Sequence, residues 1–450
     1  MKKRVAFYTF GCKLNGYETE ALKGTFHAHD YQIVEYNEVA DVYVINTCSV
    51  TERADAEARR IIRQASRNNP EALVVVTGCY AQRDPQAIAR LTGVNLVLGN
   101  AEKGELYRLV DQKLREKAAT PEIRVRNLRR EGGPGFAFPP IDPSAFSRFT
   151  RATIKVQDGC DEFCSFCIIP YTRGRSVSRP LADVVAHARR LVEAGYKEID
   201  LTGVHTGNYG RDLPGKVTLL SLLQELEKIE GLQRIRLNSL EPSTISEELI
   251  DFIACSRKVC HHLHIPLQSG DDEILRRMKR NYDAATYADL ITRIHQRMPE
   301  CGIGADIIVG FPGEEERHFA STRQLVERLP LTYLHVFSFS VRQGTPAARY
   351  AGHLPPEVIT ERSALLRKLG QQKKQAFARR FLGRTLPILV ESKREKETGL
   401  FTGLSENYIR VVVDAPESLI NEIVPVRIVR VTKERVEGTL CPAPALTAGG

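Results

Sequence analysis

Short apolar runs recur through the first third of the chain, each followed by a longer stretch with apolar positions at helical spacing. Val5–Phe10, Val42–Thr47 and Leu73–Gly78 predict strands, and Glu18–His27 and Ala54–Asn68 predict helices between them. That alternation predicts an open α/β domain with a parallel sheet over residues 1–115. From Thr150 to about Lys373 the alternation resumes. Ala152–Val156, Glu198–Gly203, Arg234–Leu240, His262–Leu267, Ile303–Val309 and Tyr333–Phe339 predict six strands with helices between them, a partial (β/α)6 barrel over 150–376. Pro355 to Arg384 reads as one long helix, and the pattern then turns to short β segments. Leu386–Glu391, Leu400–Gly403, Tyr408–Val413, Glu422–Val431 and Arg435–Leu440 suffice for a small antiparallel β-barrel over 377–442. The fold class is therefore α/β with a β-barrel appended.

Between the first two units lies a linker, 116–149, with a basic run Arg124–Arg130 and then Gly132-Gly-Pro-Gly135 and Pro139-Pro140. Such composition suits an irregular connection with solvated arginines. Residues 443–450 read as a disordered tail. The chain has 450 residues, 42% of them hydrophobic, enough for two or three ordinary globular cores. A net charge of +9 permits a polyanionic partner without requiring one. No apolar run approaches a membrane span, and no targeting signal is legible at the start. Ten cysteines in such a chain predict a reducing cytoplasm and metal ligation rather than disulfides.

Chemistry concentrates in the cysteines. Cys160, Cys164 and Cys167 form a C-x3-C-x2-C loop after the strand Ala152–Val156. Three thiolates this close can wrap one iron–sulfur cluster or one zinc, and either needs a fourth ligand to close. An open corner is where a small molecule binds. The three N-terminal strands each end in or beside a cysteine: Cys12, Cys48 and Cys79. Carboxyl ends of strands form the crevice of an open α/β sheet, so these three converge on one edge. Cys255, Cys260, Cys301 and Cys441 match no ligand pattern, and His261 and His262 read as partly exposed strand histidines.

The loop, with Phe166 before its last cysteine, resembles the radical S-adenosylmethionine (SAM) enzymes. The longer string Gly159-Cys-x3-Cys-x2-Cys-Ile-Ile-Pro-Tyr-x-Arg-Gly174 resembles their methylthiotransferase branch. The segments Thr9–Glu20, Asn46–Val50 and Thr77–Gln82 are similar to that branch's N-terminal motifs, and Thr385–Leu440 resembles a TRAM domain, an RNA-binding module. The resemblance implies two 4Fe-4S clusters, one on Cys160, Cys164 and Cys167 that binds and cleaves SAM, and an auxiliary one on Cys12, Cys48 and Cys79 that carries sulfur. It implies SAM contacts at Phe166, Thr202, Gly203, Ser239, Glu241, Gln268 and Gly310, at the carboxyl ends of the barrel strands. No side chain is singled out as catalytic, since the cofactors carry the chemistry. For RNA, the basic helix offers positions 372 (Gln372) and 373 (Lys373) with Arg379 and Arg380, and the barrel loop offers Lys393 and Arg394. Phe401 and Tyr408 are base-stacking or core aromatics.

Within the family, Gly11-Cys-Lys-Leu-Asn-Gly-Tyr-Glu-Thr-Glu20 is most similar to the branch acting on N6-threonylcarbamoyladenosine (t6A) at position 37, beside the tRNA anticodon. Gly16 departs from that branch's longer polar residue. The partners implied are tRNA, SAM and an external electron donor. The alternatives are the branch acting on isopentenyladenosine 37, the branch acting on an aspartate of a ribosomal protein, and a non-catalytic zinc-bearing RNA-binding protein.

Overall fold

A computed structural model describes residues 2–116, 120–128, 138–139, 141–142 and 150–441. The glycine-rich centre of the linker and the 443–450 tail lie outside these residues.

The N-terminal unit is a six-stranded parallel sheet in the order β2-β1-β3-β4-β5-β6. Its strands are β1 (Arg4–Thr9), β2 (Gln32–Val34), β3 (Val42–Thr47), β4 (Leu73–Gly78), β5 (Val94–Leu98) and β6 (Glu122–Arg124). Every residue of β3 and β4 is buried. This follows from helices covering both faces, which is why these strands read as unbroken apolar runs. Helix α1 (Lys13–Ala28) packs Leu22 and Phe26 on one face. Helix α2 (Glu52–Asn68) packs Ala58, Ile61, Ile62 and Ala65 on the other, a helical stripe that also fixes its orientation. Both helices begin earlier than the apolar spacing predicts, α1 directly after Cys12 and α2 at a Thr51 side-chain cap.

The central unit runs β7 (Ala152–Lys155), β10 (Glu198–Thr202), β11 (Arg234–Leu237), β12 (His262–His264), β13 (Gly302–Val309) and β14 (Tyr333–Ser338), all parallel, with a short antiparallel pair, β8 (Gln157–Asp158) and β9 (Val177–Ser178), after β7. Two three-stranded sheets, β11-β10-β7 and β12-β13-β14, are joined where Ile235 N donates to Lys258 O at 2.7 Å and Cys260 N to Ile235 O at 2.8 Å. Ile154, Ile199, Leu201, Ile235, Leu237, Leu263, Ile303 and Ile307 face outward into one apolar core. The alternate residues, among them Lys155, Asp200, Arg236, His264 and Asp306, therefore face the lumen, because successive strand side chains point to opposite faces. Gly304 lets a ring cross that lumen: a Cβ there would meet Tyr333 at 2.0 Å.

The helix Pro356–Arg379 leads into a closed barrel, β15-β16-β17-β19-β18, spanning Thr385–Arg394, Phe401–Ser405, Arg410–Val413, Val436–Leu440 and Ile423–Val431 in that order around the ring. Four seams are antiparallel and one, β17 with β19, is parallel. An antiparallel seam reverses strand direction, so a closed ring of five strands cannot reverse at every seam. One parallel pair is obligatory in the antiparallel barrel that the sequence predicts. The barrel docks on the base of the central unit. Arg234 and Arg236 donate to the carbonyls of Leu404, Pro387, Glu406 and Ser405 at 2.7–3.1 Å.

Candidate active site

Three glycines shape the cysteine loops. Gly11, Gly78 and Gly159 each precede a cysteine, and each has a positive φ, of 89°, 96° and 69°. A Cβ on Gly11 would lie 2.7 Å from Cys48 Cβ, one on Gly78 would lie 2.3 Å from Thr47 O, and one on Gly159 would lie 2.0 Å from Arg175 O. Only glycine lets the backbone turn and approach this closely. The result at the sheet edge is that Cys12, at the start of α1, and Cys79, at the start of the short helix α3 (Cys79–Arg83), flank Cys48 at the end of β3. Burial, and then the neighbouring Cys79, push the Cys48 thiol up to about 12. Burial likewise pushes Cys160 to about 12 and raises Cys164 and Cys167. Left to themselves these thiols stay protonated. A bound metal group supplies the positive charge that makes them thiolates.

The residues present fit iron–sulfur groups. Among the described residues, His264, Asp306 and His335 are the set of three side chains of metal-ligand type whose nitrogen, oxygen or sulfur atoms all lie within 4.8 Å of one another. Neither cysteine triplet is that compact, whereas one tetrahedral zinc with bonds of about 2.3 Å demands it. Arg280 Nη1 lies 3.0 Å from Cys164 Sγ and its other nitrogen donates to Glu241, so the loop already carries a sulfur-directed donor.

The two loops face each other across a buried ionic knot. Glu18 of α1 takes Lys155 Nζ of β7 at 2.8 Å, Arg173 Nη1 at 2.8 Å and the ammonium of Lys103. Burial would raise the Glu18 carboxyl, but Arg173, Lys103 and Lys155 together hold it well below the usual carboxylate range. Arg173 also donates to Asn15 Oδ1 at 2.7 Å and to Asp158. Asn100 donates to Thr172 O at 2.7 Å, with Cys79 Sγ 3.9 Å from the same amide nitrogen. On the opposite barrel edge, Arg342 donates to Asp55 Oδ2 at 2.7 Å and Glu52 N to Ser340 Oγ at 3.1 Å. The N-terminal sheet edge thus spans the open side of the partial barrel.

The residues that the resemblance ties to SAM lie in the cysteine loop and at or just past the carboxyl ends of the barrel strands. Phe166 packs with Ile274, Met278 and Phe311. Thr202 is buried and accepts from Asn238 at 2.6 Å, and a Cβ on Gly203 would meet Gln157 at 2.9 Å. Ser239 O accepts from Thr206, Glu241 pairs with Arg280, Gln268 holds a left-handed φ of 64°, and Gly310 a φ of 80°. The basic positions are mixed. Position 372 is Gln372, an amide rather than a cation. Lys373 caps the helix Glu316–Arg328 through the carbonyls of Glu327 and Leu329. Arg380 donates to Pro299 O, and Arg394 lies over the ring of Phe401 at 3.9 Å. Arg379 and Lys393 are exposed. Phe401 is a core residue, while Tyr408 stacks on His262 at 4.1 Å. That stacking buries His262, which the sequence places partly in solvent.

Sequence reasoning did not single out Glu18, Lys155, Arg173, Asn100 or Arg280. A signal was present: Glu198-Ile-Asp200 and Arg234-Ile-Arg236 alternate charge with apolar residues, the mark of strands with a polar lumen behind them.

Residues 4–99 match the family described as Uncharacterized protein family UPF0004, residues 154–326 the Radical SAM superfamily, and residues 379–441 the TRAM domain. Fold and cysteine loop thus define a radical-SAM enzyme. The chain is 40% identical over 429 residues to the threonylcarbamoyladenosine tRNA methylthiotransferase MtaB of Bacillus subtilis (strain 168), covering 95% of this chain and 94% of that protein. It is 35% identical over 431 residues to the tRNA-2-methylthio-N(6)-dimethylallyladenosine synthase of Syntrophotalea carbinolica, covering 94% and 97%. It belongs to the tRNA methylthiotransferase family of radical-SAM enzymes. The solved structure of the radical S-adenosylmethionine methyltransferase TsrM from Kitasatospora setae shares the fold, with a TM-score of 0.57, 17% identity, and 77% and 74% of the two chains covered.

Proposed function

We infer that the protein inserts a methylthio group at C2 of N6-threonylcarbamoyladenosine at position 37 of tRNA. The observation that carries this is the facing of the two cysteine loops, locked by Glu18, Arg173 and Asn100, in a chain 40% identical over its length to a protein of that activity. An aromatic C–H has no proton that a side-chain base can remove, so the hard step belongs to cofactors. When bound, a cluster on Cys160, Cys164 and Cys167 supplies one-electron chemistry on SAM, and a second on Cys12, Cys48 and Cys79 supplies sulfur. The chain's own residues orient and enclose. Arg280 donates toward a ligand sulfur, the ionic knot fixes the distance between loops, and Phe166, Thr202, Gly203, Ser239, Glu241, Gln268 and Gly310 shape the cavity in which SAM would lie.

The division into an N-terminal unit (1–115), central barrel (150–376) and C-terminal barrel (377–442) gives each a task, with the last holding tRNA through Lys393 and its neighbours. All ten cysteines are free, which suits a reducing cytoplasm and an external electron donor there. Among the described residues no helix is long and apolar enough to cross a membrane. The test is reconstitution. Purified protein loaded with iron and sulfide, given SAM, a strong reductant and tRNA bearing t6A37, is expected to yield 2-methylthio-t6A by mass spectrometry. Conversion only of tRNA bearing dimethylallyladenosine would move the protein to the other branch.

A further inference from the structure

The lumen face of β14 carries Tyr333, His335 and Phe337. Most of the lumen is buried, yet the His335 side chain is 52% exposed and Phe337 is 45% exposed. Behind them runs an ordered hydrogen-bond chain. Asp306 Oδ1 meets His264 Nε2 at 2.8 Å and His335 Nδ1 at 3.2 Å. Burial opposes ionisation of Asp306, but the two histidines hold its carboxyl down at about 2. An ionised carboxylate only accepts, so both ring nitrogens facing it carry protons. His264 Nδ1 in turn meets Tyr333 OH at 3.0 Å, and that oxygen meets His262 Nε2 at 2.8 Å. Every link is fixed, and Gly304 makes room for the Tyr333 ring. The free end is His335 Nε2, which has no hydrogen-bond partner among the described residues.

His335 and Phe337 lie on β14 between Tyr333, which stacks on Tyr408 of the C-terminal barrel, and the strand end that meets the N-terminal unit. Asp306 O accepts from Gln268 N at 2.8 Å, and Ser340, just past β14, accepts from Glu52 N close to Cys48. A flipped base needs an apolar or aromatic face to replace the stacking it leaves, and it is read by hydrogen bonds in the pocket.

We propose that His335, oriented by Asp306, hydrogen-bonds the polar threonylcarbamoyl arm of the target adenosine while the base rests against Phe337. The inference rests on the t6A reading above and names the residues that select it. The arm offers a carboxylate, a hydroxyl and carbamoyl groups to a pre-oriented donor. An apolar dimethylallyl arm would strip water from the imidazole and return nothing, and a site built for a polar partner rejects the analogue that lacks it.

The test compares the reconstituted full chain with His335→Leu, measuring Kd for tRNA carrying t6A37 and for the same tRNA with unmodified A37. Wild type is expected to prefer the t6A form. His335→Leu is expected to weaken binding of that form roughly tenfold, the cost of one lost hydrogen bond, and leave the A37 form unchanged. His335→Gln, which keeps a donor, should recover part of the preference, and Asp306→Asn should erode it. SAM cleavage in the absence of tRNA should stay at the wild-type rate in His335→Leu. An unchanged preference in His335→Leu overturns the inference while the t6A reading stands on wild-type turnover. Equal loss toward both tRNAs, or loss of SAM cleavage, assigns His335 a structural role and also overturns it. Failure of wild type to convert t6A tRNA overturns both readings, and conversion without a binding preference overturns the inference alone.

Discussion

Arg173, at the end of the short helix Ile169–Arg173 that follows Cys167, donates to Glu18, in the helix that follows Cys12, at 2.8 Å with both side chains buried. Two segments far apart in the chain, each starting from a cysteine, meet in one ion pair. Lys103 and Lys155 also pair with Glu18, and Asp158 takes Lys155 and Arg173 in turn. Removing Glu18 leaves Lys103 buried without an anion and Lys155 and Arg173 sharing Asp158 alone, which is far more destabilising than the intact knot is stabilising. We expect Glu18→Ala to cost about 3–5 kcal/mol in chemical denaturation of the full chain, with Glu18→Gln costing less.

The same knot sets an acid limit. The Glu18 carboxyl is held low in the folded chain by its cations, against an unfolded value of about 4.3. Its contribution is therefore fully present above about pH 4.3 and is lost as pH falls toward the folded value. Wild type should lose stability on acidification below about pH 5 more steeply than Glu18→Gln. Denaturation midpoints measured at several pH values check this, and parallel curves would contradict it.

The Arg280 guanidinium reaches Cys164 Sγ at 3.0 Å. Hydrogen bonds to ligand sulfurs raise the potential of an iron–sulfur cluster by stabilising the more negative, reduced state. After reconstitution, Arg280→Leu should shift the potential of that cluster to more negative values. An EPR-monitored redox titration reads the shift directly, and an unmoved midpoint would remove Arg280 from the site.

Cys48 sits between Cys12 and Cys79 at the sheet edge, remote in sequence from the other triplet. Cys48→Ala should lose the iron of one cluster while cleavage of SAM by the other persists. Iron and sulfide analysis beside a SAM-cleavage assay separates the two, and full iron in the variant would leave the chain with a single cluster.

Much of this was legible in the chain. Largely apolar runs ending beside a cysteine located β1, β3 and β4 and their binding edge, and in β3 and β4 every residue is buried because both faces are covered. The edge strands Gln32–Val34 and Glu122–Arg124 escaped because three residues carry no period. The parallel seam of the terminal barrel follows from ring parity, which no local pattern encodes. The ionic knot was invisible for another reason. Glu18, Lys103, Lys155 and Arg173 each read as an ordinary surface charge until folding brings them together without water. Lys373 shows the converse: a residue in a basic run whose ammonium is taken by two carbonyls.

The most direct measurement is mass spectrometry of nucleosides from tRNA of cells with and without the gene for this chain. We expect 2-methylthio-t6A to vanish and t6A to accumulate when it is absent. Persistence of 2-methylthio-t6A together with loss of the methylthio derivative of dimethylallyladenosine would contradict the substrate assigned here.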